Sequence, residues 1–241
     1  MPNHVATNLI ITGPSADVRR FVAAVDRTNP NLTEDHDDQG KTFDFNGVVP
    51  IPDELKNTTS PTRIMEQSEI DTMWAEWNKR KDAGELKDYE IREGKPWGLG
   101  ISRDQSNQLI FKYGADNWYN WKNSNWGTKW GAYDATAWQV TDGENGNATA
   151  SIHYNTAWGP ANEFFINASK LFPTLTFDTE YADEGGGFVC ETSYENGEIT
   201  ADNEYDWEDK DGLRVRESVG YGPSDDEEEQ TEEDVETTLA E

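Results

Sequence analysis

The sequence predicts an α+β fold, a split β-α-β sandwich whose antiparallel sheet carries helices on one face. The first observation is a β-α-β-β order of periodic segments between residues 149 and 200. The second is a strand-helix-strand order in the first 45 residues, which can complete the same sheet or form a second small copy. The third is a tryptophan-rich segment, residues 113–138, whose five tryptophans are too apolar to stay in water. We interpret this segment as the surface on which the other elements pack.

The N-terminal elements are a strand and an amphipathic helix. Residues 4–12 predict the strand. The chain then turns at Gly13 and Pro14, and Ser15 caps a helix that runs to about residue 26. One face of that helix is apolar, formed by Val18, Phe21, Val22 and Val25. Residues 42–45 predict a further short strand.

The middle of the chain contains the clearest helical pattern, over residues 66–81. Its apolar face is formed by Ile70, Met73, Trp74 and Trp77. Residues 82–110 are weakly patterned, with Trp97 expected among their buried side chains. Within the tryptophan-rich segment we expect a short helix from about Asp116, then a turn and an extended piece, because Gly127 interrupts any longer helix.

The second half of the chain has the sharpest pattern. Residues 149–156 alternate as a strand, and a helix follows Pro160, with Phe164, Phe165, Ala168 and Leu171 on its apolar face. Residues 174–181 and 188–194 predict two paired strands, and Asn196-Gly197 predicts a tight turn into another. A right-handed crossover joins these elements into the core of the sandwich.

The sequence is divided by these patterns into three parts. Residues 1–110 form an N-terminal α+β part, and residues 111–221 form the sandwich with its tryptophan-rich segment. Residues 222–241 carry ten acids and no base, which predicts a disordered acidic tail.

The net charge of −28 is concentrated near the C-terminus. Residues 1–177 carry 24 acids and 17 bases, whereas residues 178–241 carry 24 acids and 3 bases. Such a surface repels phosphate groups and anionic lipids, so we expect no direct nucleic-acid or membrane binding. It favours a basic protein as partner.

No cofactor, metal site or catalytic residue is predicted. Cys190 is the only cysteine, and the three histidines are not at metal-ligand spacing, although His36 lies in an acidic loop. The acidic stretch that starts at Asp202 begins like a calcium loop, but Trp207 occupies the position that requires glycine. No apolar run approaches 18 residues, and the start lacks a basic region before its short apolar run. We therefore expect a cytoplasmic protein, more probable as a non-enzyme than as an enzyme.

Three segments carry a family resemblance. They are the opening MPNHVATNLIITG, the segment NWYNWKNSNWGTKWGAYDA, and TAWGPANEFFINASKLFPTLTFDTEYADEGGGFVCETSYENGE. Together they resemble the YubB ferredoxin-like family, small proteins carried by phages and conjugative plasmids, over most of residues 1–200. The resemblance implies a ferredoxin-like fold and a cytoplasmic place in an infected or plasmid-bearing bacterial host. It implies no reaction.

The first functional hypothesis is a non-enzymatic accessory protein that acts by protein–protein contact. In its sharpest form it is an anti-defence inhibitor, which mimics phosphate charge and occupies the basic cleft of a host nucleic-acid-binding protein. The contact surface is expected to include Asp183, Glu184, Asp202, Glu204, Asp206, Glu208 and Asp209. The alternative interpretation of the charge is solubility, or adaptation to a salty cytoplasm.

The second hypothesis is a small-ligand or nucleotide-binding module, or an enzyme, with its site beside the tryptophan-rich segment. Its candidate ligand-binding residues are Trp126, Trp130, Tyr133, His153 and Asn155. Convergence of these side chains in a pocket would favour it, and a fully packed segment would count against it. Core packing is the favoured interpretation of the tryptophans.

Overall fold

The protein is described by a computed structural model, which covers residues 3–27 and 43–222. The chain divides into two compact units. One comprises Met1–Pro50 and Asn125–Glu241, and the other comprises Ile51–Ser124. The predicted acidic tail lies outside the described residues apart from Gly222, and so does His36.

The first unit is built on a six-stranded antiparallel sheet with the order β2-β3-β1-β4-β5-β6. The strands are β1 (His4–Pro14), β2 (Gln139–Asp142), β3 (Asn147–Ala157), β4 (Thr176–Asp183), β5 (Val189–Glu195) and β6 (Glu198–Glu204). The predicted α+β class and antiparallel sheet are confirmed. β2 is an addition, because the sequence analysis predicts no strand over residues 139–142.

The helices of the described residues are α1 (Ser15–Val25), α2 (Asp53–Lys56), α3 (Gln67–Asp82), α4 (Asp88–Glu93), α5 (Arg103–Tyr113), α6 (Trp118–Trp126), α7 (Asn162–Leu171) and α8 (Lys210–Ser218). Short 3-10 turns occupy Phe45–Gly47 and Glu144–Gly146. The turn at Phe45 replaces the predicted short strand, because the Asp44 side chain accepts a hydrogen bond from the Asn46 backbone and bends the chain.

The division into units differs from the predicted boundary between residues 1–110 and 111–221. β1 pairs with both β3 and β4, over eleven and eight residues. The first strand of the chain therefore lies in the middle of a sheet whose other strands all come after residue 138. Residues 51–124, which include α2 to α5, form the second unit between these two parts of the sequence.

The two faces of the sheet are covered differently. On one face, Phe21 of α1 and Phe165 of α7 both contact the Phe177 ring, with centroids 5.1 and 5.9 Å apart. On the opposite face, Val215 and Val219 of α8 pack against a small apolar cluster that includes Ala6, Ala182 and Val189. The predicted placing of helices on one face is thus right for α1 and α7, but α8 lies on the other. It was not predicted.

The core beneath α1 and α7 is largely aromatic. Phe45 stacks on Phe164 with ring centroids 4.1 Å apart, and Trp126 meets Phe45 edge-on at 5.6 Å. The indole nitrogen of Trp126 donates to the Val49 carbonyl at 2.9 Å. Trp126 is 2% exposed. This part of the tryptophan-rich segment is therefore core, as its apolar area predicts.

Candidate acidic interaction surface

The acidic residues nearest the C-terminal part of the sheet lie on β6, which forms one edge. A two-residue turn places β6 beside β5, and both turn residues have positive φ, 46° at Asn196 and 85° at Gly197. This is the geometry that the Asn-Gly pair predicts. β6 is hydrogen-bonded to β5 on one side only, and all seven of its residues are exposed. Its outer edge is therefore free among the described residues.

The backbone at Asp202 and Glu204 points away from β5. The Tyr205 backbone N–H donates to the Val189 carbonyl at 2.9 Å, which makes Tyr205 and Val189 a hydrogen-bonded pair. Because such pairs alternate along antiparallel strands, the N–H and C=O groups of Asp202 and Glu204 face the free edge. They are unpaired backbone groups beside two carboxylates.

The side chains of Asp202 and Glu204 lie on the same face of β6, two residues apart. The Asp202 carboxylate accepts a hydrogen bond from the Thr192 hydroxyl at 2.9 Å, which fixes one of its two oxygens. Both residues are exposed. Together they give the edge two carboxylates at strand spacing, about 7 Å apart along the chain.

The turn from β6 to α8 continues the acidic surface through Asp206 and Glu208, which are both exposed. Asp209 has a different role. Its carboxylate accepts from the Gly212 backbone N–H at 2.5 Å and caps the N-terminus of α8. Between these acids, the Trp207 ring packs on the apolar cluster below α8 and carries the Arg216 guanidinium 4.6 Å above it.

The hairpin between β4 and β5 contributes Glu184 to this end of the sheet, whereas Asp183 is used inside the hairpin. The Asp183 side chain is 5% exposed and accepts from the Asn3 amide and the Gly187 backbone N–H. Glu184 is exposed. The hairpin lies close to the β6–α8 turn, since a side-chain carbon at Gly186 would sit 4.0 Å from the Trp207 ring. The predicted acids thus converge at one end of the sheet, apart from the buried carboxylate of Asp183.

The two arginines of α8 make their contacts away from the β6 edge. The Arg214 guanidinium bonds Glu180 and Glu191 at 2.7 Å each. Arg216 is buried against Trp207. Within residues 3–27 and 43–222, no lysine or arginine lies in ion-pair distance of Asp202, Glu204, Asp206 or Glu208. Among the described residues, no ion pair therefore offsets the negative charge of these four side chains.

The contact between Arg214 and the sheet predicts an acid-sensitive anchor for α8. Burial alone would raise the pKa of Glu191, but hydrogen bonds from Tyr205 and Arg214 outweigh burial and lower that pKa below its ordinary value of 4.5. A carboxylate with a lowered pKa stabilises the fold above its ordinary pKa, and this stability is lost as the pH falls. We expect the protein to lose stability as the pH falls below about 4.5. Arg214→Gln should reduce this dependence of stability on pH.

Urea unfolding between pH 3 and pH 7 measures this effect. Arg103→Gln is the matched control, because Arg103 is an exposed arginine on α5. It should keep the acid dependence of the unchanged protein. If Arg214→Gln shows the same dependence as the unchanged protein, Arg214 does not hold Glu191 ionised.

The second set of predicted residues is only partly brought together. Trp126 is in the core, whereas Trp130 and Tyr133 are neighbours with ring centroids 6.3 Å apart. Tyr133 and Asn155 exchange backbone hydrogen bonds, at 3.0 and 2.9 Å. His153 lies on the same face of β3 as Asn155, and its Nδ1 is 2.9 Å from the Asn8 side-chain oxygen. This set therefore joins a strand to a loop, with Trp126 apart from it.

The Tyr133 hydroxyl is held between two partners that the sequence did not suggest. It donates to the Thr156 carbonyl at 3.1 Å and lies 2.6 Å from Nδ1 of His4. Burial raises the pKa of Tyr133 to about 12, so the phenol is neutral at physiological pH. A neutral phenol with both hydrogen-bonding capacities in use is a structural tie between β1 and β3, which are paired at His4 and Ala157.

The described part of the chain contains no group of three or more His, Cys, Asp or Glu side chains placed to hold a metal ion. Burial raises the pKa of the Cys190 thiol to about 11, so Cys190 is a protonated core residue. Among residues 3–27 and 43–222, no helix is long and apolar enough to span a bilayer.

A family model supports the fold. Residues 136–239 match a family model described as "Ferredoxin-like domain in Api92-like protein", a range that includes β2 to β6, α7 and α8. The crystal structure of a protein api92 from Yersinia pseudotuberculosis is similar at 11% identity and a TM-score of 0.44. That similarity covers 85% of this chain and 98% of that chain. No curated protein matches the sequence. The YubB name suggested by the resemblance is not confirmed, but its ferredoxin-like fold is: residues 136–239 match the ferredoxin-like domain of Api92-like proteins.

Proposed function

We propose that this protein is a non-enzymatic accessory protein, which acts by binding a basic protein through the free edge of β6 and the turn that follows it. The single observation that carries the proposal is the edge itself. At Asp202 and Glu204, unpaired backbone groups and uncompensated carboxylates occupy the same two residues. Such an edge can take up an extended segment of another chain as an additional strand.

The chemistry of the edge selects the partner. A second copy of this chain would place acidic residues beside acidic residues, and charged side chains on an edge strand are a known defence against such pairing. A β-bulge adds a further obstacle, because Thr200 is inserted between the residues that pair with Ser193 and Tyr194. A strand with lysine or arginine at alternate positions would instead place its cations opposite Asp202 and Glu204.

We further propose that the protein inhibits a nucleic-acid-binding protein of the host. A row of carboxylates on an extended strand resembles the charge of a nucleic-acid backbone, and Asp206, Glu208 and Glu184 enlarge the same negative surface. A protein that binds nucleic acid presents a basic groove to its ligand. Occupation of that groove by the acidic surface would exclude the nucleic acid, which is the anti-defence role in its simplest physical form.

Affinity capture from bacterial lysate tests the proposal. The tagged full-length protein is compared with an Asp202→Asn/Glu204→Gln variant at 50 and 500 mM salt, and duplex DNA is added as competitor. We expect a basic protein that is retained at low salt, released at high salt, displaced by DNA and lost in the variant, because the attraction is electrostatic and screened.

The matched control is Glu76→Gln/Asp82→Asn, which removes the same charge from exposed positions of α3. It should capture the same partner as the unchanged protein. If the control loses the partner to the same extent as the edge variant, net charge and not the β6 edge is responsible, and the proposal is wrong.

A further inference from the structure

The charge of the chain is distributed unequally between its two units. Residues 51–124 carry 13 acids and 11 bases, a net charge of −2. The remaining residues carry 35 acids and 9 bases, a net charge of −26. More than half of all lysines and arginines therefore belong to a unit of 74 residues, although the protein as a whole is strongly acidic.

Two of these cations line a cavity of about 620 Å³ within the second unit. Its principal side chains are Thr58, Thr59, Tyr89, Arg92, Lys95 and Trp97. The cavity is lined by two cations, two aromatic rings and two hydroxyl groups, and no carboxylate is among its lining residues. Its volume falls in the range of small-molecule sites, about 300–1,000 Å³.

Helix α4, which carries Tyr89 and Arg92, is held in place by an ion pair with Arg80. Tyr89 and Arg92 are three apart on α4 and therefore share a face of the helix. On the same helix, the Glu90 carboxylate forms two hydrogen bonds of 2.7 Å with the Arg80 guanidinium. Gly94, with φ at 66°, ends the helix and turns the chain towards Trp97.

Other parts of the cavity lining are fixed by hydrogen bonds from two cations. The Arg63 guanidinium donates to the Gly98 carbonyl at 2.8 Å. The Lys95 ammonium donates to the Asn57 carbonyl beside Thr58. The Thr59 hydroxyl oxygen accepts from the Arg63 backbone N–H at 3.3 Å, which leaves its proton for another acceptor. Among the described residues, the Arg92 guanidinium has no hydrogen-bond or ion-pair partner, and Arg92 is exposed.

The aromatic rings of the cavity are unusually exposed. Trp97 is 77% exposed, and Tyr89 is 41% exposed. The sequence led us to expect Trp97 in the core. An exposed Trp97 beside the cations of the cavity indicates a ligand-binding site, since large exposed apolar groups beside polar ones commonly mark such sites.

We infer that this cavity binds a small anion with a planar ring, of the mononucleotide class. The ring stacks on Trp97, and the phosphate lies between Arg92 and Lys95 with a hydrogen bond from the Thr59 hydroxyl. At physiological salt, charges are screened beyond about 8 Å, so a small ligand is governed by the cations that line the cavity. A long polyanion would also be repelled by the net charge of −28 of the whole chain, which favours a mononucleotide over a nucleic-acid strand.

Isothermal titration of the full-length protein with AMP, adenosine and inorganic phosphate at 150 mM salt tests the inference. We expect AMP to bind, and adenosine and phosphate each to bind at least tenfold more weakly, because each lacks one of the two recognised groups. Trp97→Ala and Arg92→Gln should each weaken AMP binding at least tenfold. Both residues are exposed, so the variants should fold, and circular dichroism checks this.

The matched controls are Phe111→Ala and Lys79→Gln. Phe111 is 95% exposed on α5 and Lys79 is exposed on α3, and neither lines the cavity. Both variants should bind AMP as the unchanged protein does. The inference is overturned if AMP gives no binding at millimolar concentration, if Trp97→Ala binds AMP unchanged, or if a twelve-nucleotide oligothymidylate binds more tightly than AMP. None of these outcomes depends on the β6 edge.

Discussion

Replacement of Trp126 by alanine should lower the free energy of unfolding by about 3–5 kcal/mol, the usual cost of removing a large buried aromatic side chain. The Trp126 ring packs edge-on against Phe45, and its indole N–H satisfies the Val49 carbonyl. The alanine variant loses the apolar contact and leaves a cavity. It also leaves the Val49 carbonyl without its partner, which adds the cost of an unsatisfied buried group.

Chemical denaturation monitored by circular dichroism measures this loss. Trp130→Ala is the control, because Trp130 belongs to the same tryptophan-rich segment but is 38% exposed. It should cost about 1 kcal/mol, mainly through its edge contact with Tyr133. If Trp126→Ala is no more destabilising than Trp130→Ala, Trp126 is not part of the core. The hypothesis that Trp126 binds a ligand would then be favoured again.

The parts of the fold that could be predicted are those in which local pattern and burial agree. β3 alternates along its length, and its buried residues are those that the alternation selects. The helix predicted after Pro160 is found as α7, with Phe164, Phe165 and Ala168 buried. The turn at Asn196 and Gly197 is formed by the two residues whose positive φ it requires. In each case one short segment contains all the information that its structure needs.

The sequence did not predict four of the helices, and two of them, α5 and α8, have patterns that are weak or are hidden by charge. α5 buries only Ser106 and Leu109, while Ile110 and Phe111 are exposed, so its apolar residues do not mark one face. Its ends are defined by the Ser102 cap and by Gly114 at φ 75°. α8 lies in the most acidic part of the described chain. It is stabilised by Arg214 and by two valines, and the acids around them suggested only a surface.

The candidate surface could be predicted in composition but not in geometry. The sequence indicated that the acids cluster, and most of them converge at one end of the sheet. It could not indicate that Asp183 turns inwards to hold a hairpin, or that Asp209 caps a helix, because both roles depend on backbone N–H groups a few residues away. Nor could it show that β6 is an edge, since strand order depends on pairing between distant segments.

The second large effect is expected on partner binding when Glu204 is changed. At this residue the contribution of the carboxylate can be measured separately from that of the backbone N–H. Glu204→Gln removes the carboxylate and keeps the outward N–H, whereas Glu204→Pro removes both. Because this N–H is not used in the pairing with β5, proline is tolerated there, as it is on other edge strands. Any difference in partner binding between the two variants therefore reports a backbone hydrogen bond to the partner.

We expect Glu204→Gln to weaken binding of the captured basic partner about threefold to tenfold at 50 mM salt, and by less at 500 mM salt. Glu204→Pro should weaken it by about a further twofold to tenfold at both salt concentrations, because a lost hydrogen bond costs about 0.5–1.5 kcal/mol and is not screened. Surface plasmon resonance with the purified partner measures both effects. Asp104→Pro, in the exposed first turn of α5, is the control for proline itself, because the backbone N–H groups of the first helical turn have no partner within the helix. Equal affinities for the two Glu204 variants would mean that the partner reads only the charge of the edge and adds no strand to β6.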